Sequence, residues 1–341
     1  MSQFKKSTKH KNIIVISLGD PAGIGTEITL KALGSKLLNE NIKPLLVGCK
    51  KNIYKTYLEL IDHEIKNIPN PKDLDIIDIP LENIIIPGIV NSHSGNASFK
   101  WLYNAANLVL EGKAHALVTA PISKIAWHKA GHEFSGQTEL LGQLTNKRTS
   151  MLFTAISPNN GWRFNTLLAT THIPLENINK HLTKELIRYK LDALKSFCYK
   201  FKENPVIQIA GLNPHAGEEG KIGREEQNLI IPILKEWKID NPSINIHGPI
   251  PPDTCWILSA EAWNSDSSKN NGPDGILALY HDQGLIPVKL IAFDEAVNTT
   301  LGLPFVRTSP DHGTALDIAG KFKAREKSMI AAMNNAWILS Q

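Results

Sequence analysis

The chain predicts an α/β protein with largely parallel sheets. Three observations carry this. Apolar runs that read as buried strands alternate with longer segments of helical periodicity from Ile13 onward. The runs are bounded by Gly, Pro and Asn, which end strands and open loops. The length of 341 residues suits about two domains of ordinary size.

The elements follow in order. Ile13–Leu18 reads as a strand and Gly25–Leu38 as an amphipathic helix, with a strand at Pro44–Gly48. Ile65–Pro80, with its prolines and short apolar pieces, matches no period. Trp101, Leu102, Ala105 and Leu108 mark a helix over Ser98–Glu111, followed by a strand at Ala116–Thr119. Strands at Thr149–Ile156 and Thr166–Thr170 precede a helix over Leu175–Phe201. A strand at Val206–Leu212, a helix at Glu225–Trp237 and a strand at Ile276–Tyr280 continue the alternation. The segment Trp263–Asp274 is a polar loop, and no internal repeat is present.

Composition narrows the class. A hydrophobic share of 42% and a charged share of 21% describe a globular chain with an ample core. The net charge of +4 is small, and its main cluster is Lys5, Lys6, Lys9 and Lys11, a solvated arm and not a nucleic-acid grip. Cys49, Cys198 and Cys255 are odd in number and widely spaced, which argues against a disulfide framework or a thiolate metal site and fits a reducing cytoplasm. No apolar stretch approaches the ~18–20 residues needed to span a membrane. The short run after the basic arm ends in Gly-Asp-Pro, without a signal-peptide cleavage site.

Three histidines stand out by position. His172, His215 and His281 follow the apolar runs Thr166–Ala169, Val206–Leu212 and Ile276–Leu279, and each is followed within three residues by Pro or Gly. Parallel strands end on one side of a sheet, so three such loops can converge on one crevice. Three neutral imidazoles bind a divalent metal and leave a coordination position open, the pattern of a catalytic site. Gly19-Asp-Pro-Ala-Gly-Ile-Gly25 opens the first helix and reads either as an anion-binding loop or as a tight turn.

Near the C-terminus, His312-Gly-Thr-Ala with Asp317-Ile-Ala-Gly-Lys321 resembles the isocitrate and isopropylmalate dehydrogenase fold. In that group such a loop holds the adenosine part of a nicotinamide cofactor. Further motifs narrow the resemblance. They are Val118-Thr-Ala-Pro-Ile-Ser-Lys124, Ala169-Thr-Thr-His-Ile-Pro174, Gly211-Leu-Asn-Pro-His-Ala-Gly217, Gly248-Pro-Ile-Pro-Pro-Asp-Thr254, Tyr280-His-Asp-Gln-Gly284 and the run Asn298 to Thr308. With Gly19–Gly25 they resemble the 4-hydroxythreonine-4-phosphate dehydrogenase family of vitamin B6 biosynthesis, from about Ile13 to Ala332.

The resemblance implies a two-domain, isocitrate/isopropylmalate dehydrogenase-like fold. Residues 1–125 plus 285–341 would carry the cofactor loop, 126–284 the metal histidines, and the active cleft would lie between. It implies NAD- or NADP-linked oxidation of 4-phosphooxy-L-threonine to a β-keto acid that decarboxylates, a divalent metal (Zn, Mg or Co), and a homodimer with the site at its interface. It places the metal on His172, His215 and His281, and the substrate on Gln137, Thr138, Lys289, Asn298 and Arg307. His312, Gly313, Thr314 and Asp317 would hold the cofactor. Lys289, Asp253 and Asp282 are the catalytic candidates, each Asp serving as base or as a carboxylate that orients a ligand histidine.

One position departs from the family, which has Gly-His-Thr-Glu where this chain has Gly136-Gln137-Thr138-Glu139. Gln137 is expected to contact the phosphate without charge, so that His at this place would tighten binding below about pH 6.5. This departure keeps a dehydrogenase of threonate or erythronate 4-phosphate in view; a non-catalytic sugar-phosphate binding protein is a third reading, against which the intact three histidines, Lys289 and Arg307 argue.

Overall fold

The computed structural model describes residues 12–266 and 271–341. The basic arm with Lys5, Lys6, Lys9 and Lys11 lies outside them, as does the middle of the polar loop Trp263–Asp274. Two compact units divide the chain, one joining the described residues up to Lys147 with Leu303–Gln341, the other being Arg148–Gly302.

The first unit begins with β1 (Asn12–Ser17), α1 (Gly25–Leu33), β2 (Ile42–Gly48), α2 (Lys50–Asp62) and β3 (Asp75–Asp78). It continues with α3 (Ser92–Leu110), β4 (Ala116–Thr119), α4 (Lys124–Lys129) and α5 (Gln137–Thr145). The second unit holds β5 (Ser150–Ile156), β6 (Arg163–Leu168), α6 (Ile178–His181), α7 (Lys184–Cys198), β7 (Val206–Ala210) and α8 (Ile231–Asp240). It closes with β8 (Asn245–Ile250), α9 (Ile257–Asn264), β9 (Gly275–Ala278), α10 (His281–Ala292) and β10 (Val297–Leu301). The chain then returns to the first unit with β11 (Val306–Pro310) and α11 (Lys327–Leu339).

In the first unit the strands run in the order β3-β2-β1-β4-β11, every neighbouring pair parallel. α11 packs on β11, β4, β1 and α1, so the C-terminal tail belongs to this unit. Trp101 and Trp127 are fully buried, and their indole N–H groups donate to Ile79 O (3.1 Å) and Ser98 Oγ (2.9 Å). In the second unit the order is β10-β5-β6-β9-β7-β8. β6, β9, β7 and β8 are mutually parallel, while β5 pairs antiparallel with both β6 and β10.

The unit boundaries fall later than the 125/126 and 284/285 divisions expected from sequence. α4 packs on α3, which keeps residues 126–147 with the first unit. α10 lies against β6 and β9, and β10 pairs with β5, which keeps 285–302 with the second.

Three helices differ from their periodic outlines for local reasons. α1 stops at Leu33, and glycine follows because Asn67 O passes 1.7 Å from where a Cβ at Gly34 would stand. The predicted helix Leu175–Phe201 breaks at Thr183, whose side chain caps Leu186 N and starts α7 afresh. The helix predicted from Glu225 opens with a π turn over Glu226–Ile230, since Pro232 has no N–H to continue the α ladder. β3 escaped prediction because it is a short edge strand with little burial.

α7 carries an unusual core group. Lys190 is 5% exposed, and burial, helped by the nearby Arg148 charge, pushes its ammonium down to about 8. The folded state therefore binds fewer protons than the unfolded chain between that value and the ordinary lysine value of about 10.4, and stability rises with pH across this window. Lys190→Met should stabilise the protein at pH 7 by on the order of 2 kcal/mol. The gain should shrink as pH approaches about 10, read from urea midpoints. A gain that does not change with pH would show that Lys190 is not held against its charge.

Candidate active site

The second unit places its histidines at one edge. β6, β9 and β7 are adjacent and parallel, and His172, His281 and His215 follow their C-terminal ends. The strand ends are laced together. Thr170 Oγ1 donates to Leu279 O at 2.7 Å. The buried Gln283 accepts from Leu279 N with Oε1 and donates through Nε2 to Gly211 O, both at 2.7 Å. Gly284 follows because α10 lies so close to β6 that a Cβ there would meet Leu168 Cδ2 at 2.5 Å.

The rings of His172 and His281 lie 5.5 Å apart at 45°. They line a cavity of about 360 Å³ with Thr171, Ile173, Tyr280 and Asp282. His281 Nδ1 is 2.7 Å from Asp282 Oδ1. His215 does not line this cavity, and among the described residues no group of three His, Cys, Asp or Glu is close enough to hold a metal ion. The structure thus brings together two of the three expected ligands.

The reason is local to the third loop. His215, Ala216, Gly217, Glu218 and Glu219 all have positive φ, between 43° and 82°. Left-handed backbone costs a non-glycine residue roughly 1–2 kcal/mol. The turn is held by Glu226, fully buried, whose Oε1 accepts from Leu212 N and Asn213 N at 2.7 and 2.8 Å. Its Oε2 accepts from Asn213 Nδ2 at 2.9 Å. His215 Nδ1 pairs with Glu218 Oε1 at 2.7 Å, and that bond and charge, with a smaller contribution from Asp253, raise the imidazole above its ordinary value.

The donor set still fits a divalent metal. His215 and His281 each have Nδ1 on a carboxylate, a pairing that favours the Nδ1–H tautomer and would leave Nε2 as the ligating atom. Three imidazoles with carboxylates behind two of them is the chemistry of a zinc-type centre with an open position.

Asn298 and Lys289 also belong to the second unit. Asn298 lies on β10 opposite Phe153, and its buried Oδ1 has no hydrogen-bond partner. A buried acceptor without a partner is costly unless a ligand or water supplies a donor. Lys289 is half-buried on α10, seven residues after Asp282 and so on the same helical face.

The first unit carries the remaining candidates. Arg307 on β11 is 3% exposed, and burial pulls its guanidinium down to about 10, opposed by the Glu139 charge, so it remains a cation at neutral pH. Nε and Nη2 donate to Thr119 Oγ1 at 3.2 and 2.7 Å, and Nη2 donates to Gln137 Oε1 at 2.7 Å. Gln137 and Thr138 form the first turn of α5, after Gly136. Gln137 and Arg307 therefore do meet, but through a direct bond and not across a ligand. His132, five residues before Gln137, is stacked on Phe99 at 3.7 Å with its Nε2 3.2 Å from Asn96 Oδ1.

The loop Gly19–Gly25 is a tight turn. Asp20 N donates to Pro121 O, Ala22 N to Asp20 Oδ1, Gly23 N to Asp20 O and Ile24 N to Thr314 O, which leaves these amides nothing to offer an anion. A Cβ at Gly23 would meet Thr314 at 2.9 Å, so the loop is a seat for the His312–Thr314 segment. His312 Nδ1 is 3.0 Å from Gly313 O, and its buried Nε2 has no partner, a polar atom that suits a bound cofactor. Gly313 and Asp317 are exposed.

Sequence reasoning assigned no role to Thr119, Glu218, Glu226 or Gln283. Thr119 and Gln283 both stand inside recognisable motifs, but Thr119 bonds to Arg307 and Gln283 to Gly211, 188 and 72 residues away. Gln283→Leu should lower stability by about 2–4 kcal/mol, since it leaves the buried Leu279 N and Gly211 O without their bonds. An unchanged urea midpoint would show that the lacing carries no load.

Known proteins resemble the chain over nearly its whole length. Residues 40–336 match the family model described as pyridoxal phosphate biosynthetic protein PdxA. The chain is 52% identical to 4-hydroxythreonine-4-phosphate dehydrogenase of Synechococcus sp. (strain RCC307), over 95% of this chain and 98% of that one. It is 36% identical to D-threonate 4-phosphate dehydrogenase of Pectobacterium atrosepticum, over 96% of this chain and 99% of that one. The solved structure of 4-hydroxythreonine-4-phosphate dehydrogenase from Klebsiella pneumoniae superimposes with a TM-score of 0.81 at 33% identity, covering 98% of this chain and 100% of that chain.

Proposed function

The chain belongs to the family of the pyridoxal phosphate biosynthetic protein PdxA, and on that premise we propose that it oxidises 4-phosphooxy-L-threonine with NAD or NADP. The product is a β-keto acid that loses CO₂ to give 3-amino-2-oxopropyl phosphate. The observation that carries the reading is the set of three histidines at the C-terminal ends of three adjacent parallel strands, two of them backed by carboxylates.

The residues divide the work. His172, His215 and His281 would hold one divalent ion, Zn, Mg or Co, which polarises the substrate hydroxyl when bound. The His312 loop, with Gly313, Thr314 and Asp317, would hold the nicotinamide cofactor that accepts the hydride. Arg307 supplies a fixed cation for the phosphate, and Asn298 Oδ1 accepts from a substrate donor. Thr138 binds substrate from the first turn of α5. Asp282 pairs with His281 Nδ1 and would orient that ligand, and Lys289 and Asp253 are the candidates to move the hydroxyl proton.

A homodimer suits the surface of the second unit. α10 exposes Ile286, Leu290 and Phe293 (59%, 81% and 56%), and α9 exposes Ile257 and Leu258. Lys289 lies within that stripe, so a second copy covering it would bring the interface to the active site. The three buried, unpaired cysteines fit a reducing cytoplasm, and no helix among the described residues is long and apolar enough to cross a membrane.

Purified protein with added metal should produce NADH or NADPH from 4-phosphooxy-L-threonine faster than from threonate 4-phosphate, the latter included because the Pectobacterium relative carries that name. His172→Ala, His215→Ala and His281→Ala should each abolish turnover and bound metal with an unchanged circular dichroism spectrum. Turnover by His215→Ala at the parent rate would remove the third ligand from the site. Leu290→Asp should shift the solution mass from dimer to monomer at micromolar concentration, and a parent protein that is already monomeric would contradict the shared interface.

A further inference from the structure

We propose that Gln137 is a positioning residue that aims Arg307, not a ligand contact, and that an amide at this place makes the anion site insensitive to acid. The proposal rests on the reading of Arg307 as the cation for the substrate's phosphate.

Both ends of the Gln137 amide are engaged within its own unit. Nε2 donates to Ala120 O at 2.9 Å, and Oε1 accepts from Arg307 Nη2 at 2.7 Å. The Ala120 carbonyl can only accept, so it fixes which end of the amide is the oxygen and presents that oxygen to the guanidinium. Thr119 Oγ1 grips the same guanidinium at Nε and Nη2. Thr119 and Ala120 are consecutive at the end of β4, so one strand end and one side chain from α5 set the direction of a buried fork. Arg binds phosphate through fixed, parallel donors, so a tilt of the fork weakens the pairing even where the charge is kept.

An imidazole could replace this amide only while neutral. One ring nitrogen would donate to Ala120 O and the other would accept from Arg307. The imidazolium has two donors and no acceptor, and it would face the guanidinium as a like charge. The charged groups around the position are Arg307 on β11, Glu139 on α5, Lys124 on α4 and Asp20 in the turn after β1. Glu139 and Lys124 both approach Gly136, within 3.1 and 3.9 Å of where its Cβ would stand, and the Glu139 charge acts on the Arg307 cation. Asp20 is fully buried, and that burial raises its carboxyl above the ordinary value. The acid response of a histidine here is therefore opposite to that expected from sequence: loosening, not tightening.

The test is calorimetric titration with inorganic phosphate from about pH 5.5 to about pH 8.5. Gln137→His and Gln137→Leu are each expressed as a ratio to the parent protein at the same pH, which cancels the ionisation of phosphate itself. Gln137→His should bind within about twofold of the parent at the alkaline end and about tenfold more weakly at the acid end. Gln137→Leu should be about tenfold weaker throughout. Tighter binding by Gln137→His in acid would mean that the side chain touches the anion, and it would overturn the proposal. Parent-like binding by Gln137→Leu would overturn it as well. Arg307→Met separates the underlying reading: if it binds phosphate as the parent does, Arg307 is not the anion's cation, and the role of Gln137 falls with it.

Discussion

The candidate site depends on a chain of hydrogen bonds that crosses three strand ends. Thr170 bonds to Leu279, Leu279 to Gln283, and Gln283 to Gly211. These bonds set the mutual register of β6, β9 and β7 where the ladder stops and the histidine loops begin. Register matters because side chains alternate along a strand, and a slip of one residue turns each to the other face. Apolar packing does not discriminate such slips well in strands buried on both faces. A buried amide with one donor end and one acceptor end does, because a shifted partner leaves it unsatisfied in a low dielectric.

Beyond that lacing the three loops are unequal. His172 and His281 leave short loops and share a cavity. His215 sits in a run of left-handed residues held by the buried carboxylate of Glu226. Strain of this kind persists only where surrounding bonds over-determine it, and it gathers at functional loops. A metal bound by the three nitrogens would add to those bonds.

The first unit solves a different problem, the keeping of a buried cation. Arg307 stays a cation in the interior with Thr119 and Gln137 accepting from its Nε and Nη2 and with the Glu139 charge opposing the effect of burial. Desolvation makes such a group a strong anion receptor, since water does not compete for its donors. Asn298 Oδ1 in one unit and His312 Nε2 in the other are among the buried atoms left without a protein partner.

The α/β class, most strands and the histidine positions were legible in the chain itself. Each follows from patterns a few residues long, namely apolar runs, the glycines and prolines that end them, and what stands next. The strands β10 and β11 and the edge strands β3 and β8 were not legible, because pairing and not hydrophobicity defines them. The alternatives for Gly19–Gly25 were decided by Thr314, nearly three hundred residues away, whose carbonyl takes one of the loop's amides. Gln137 makes the same point. Its identity and its departure from the family were visible in the sequence, but its role required Ala120 and Arg307, one on either side of its amide. Local sequence determines which groups a segment can offer. Only the fold decides which of them are already taken, since hydrogen-bond partners distant along the chain are chosen by tertiary structure.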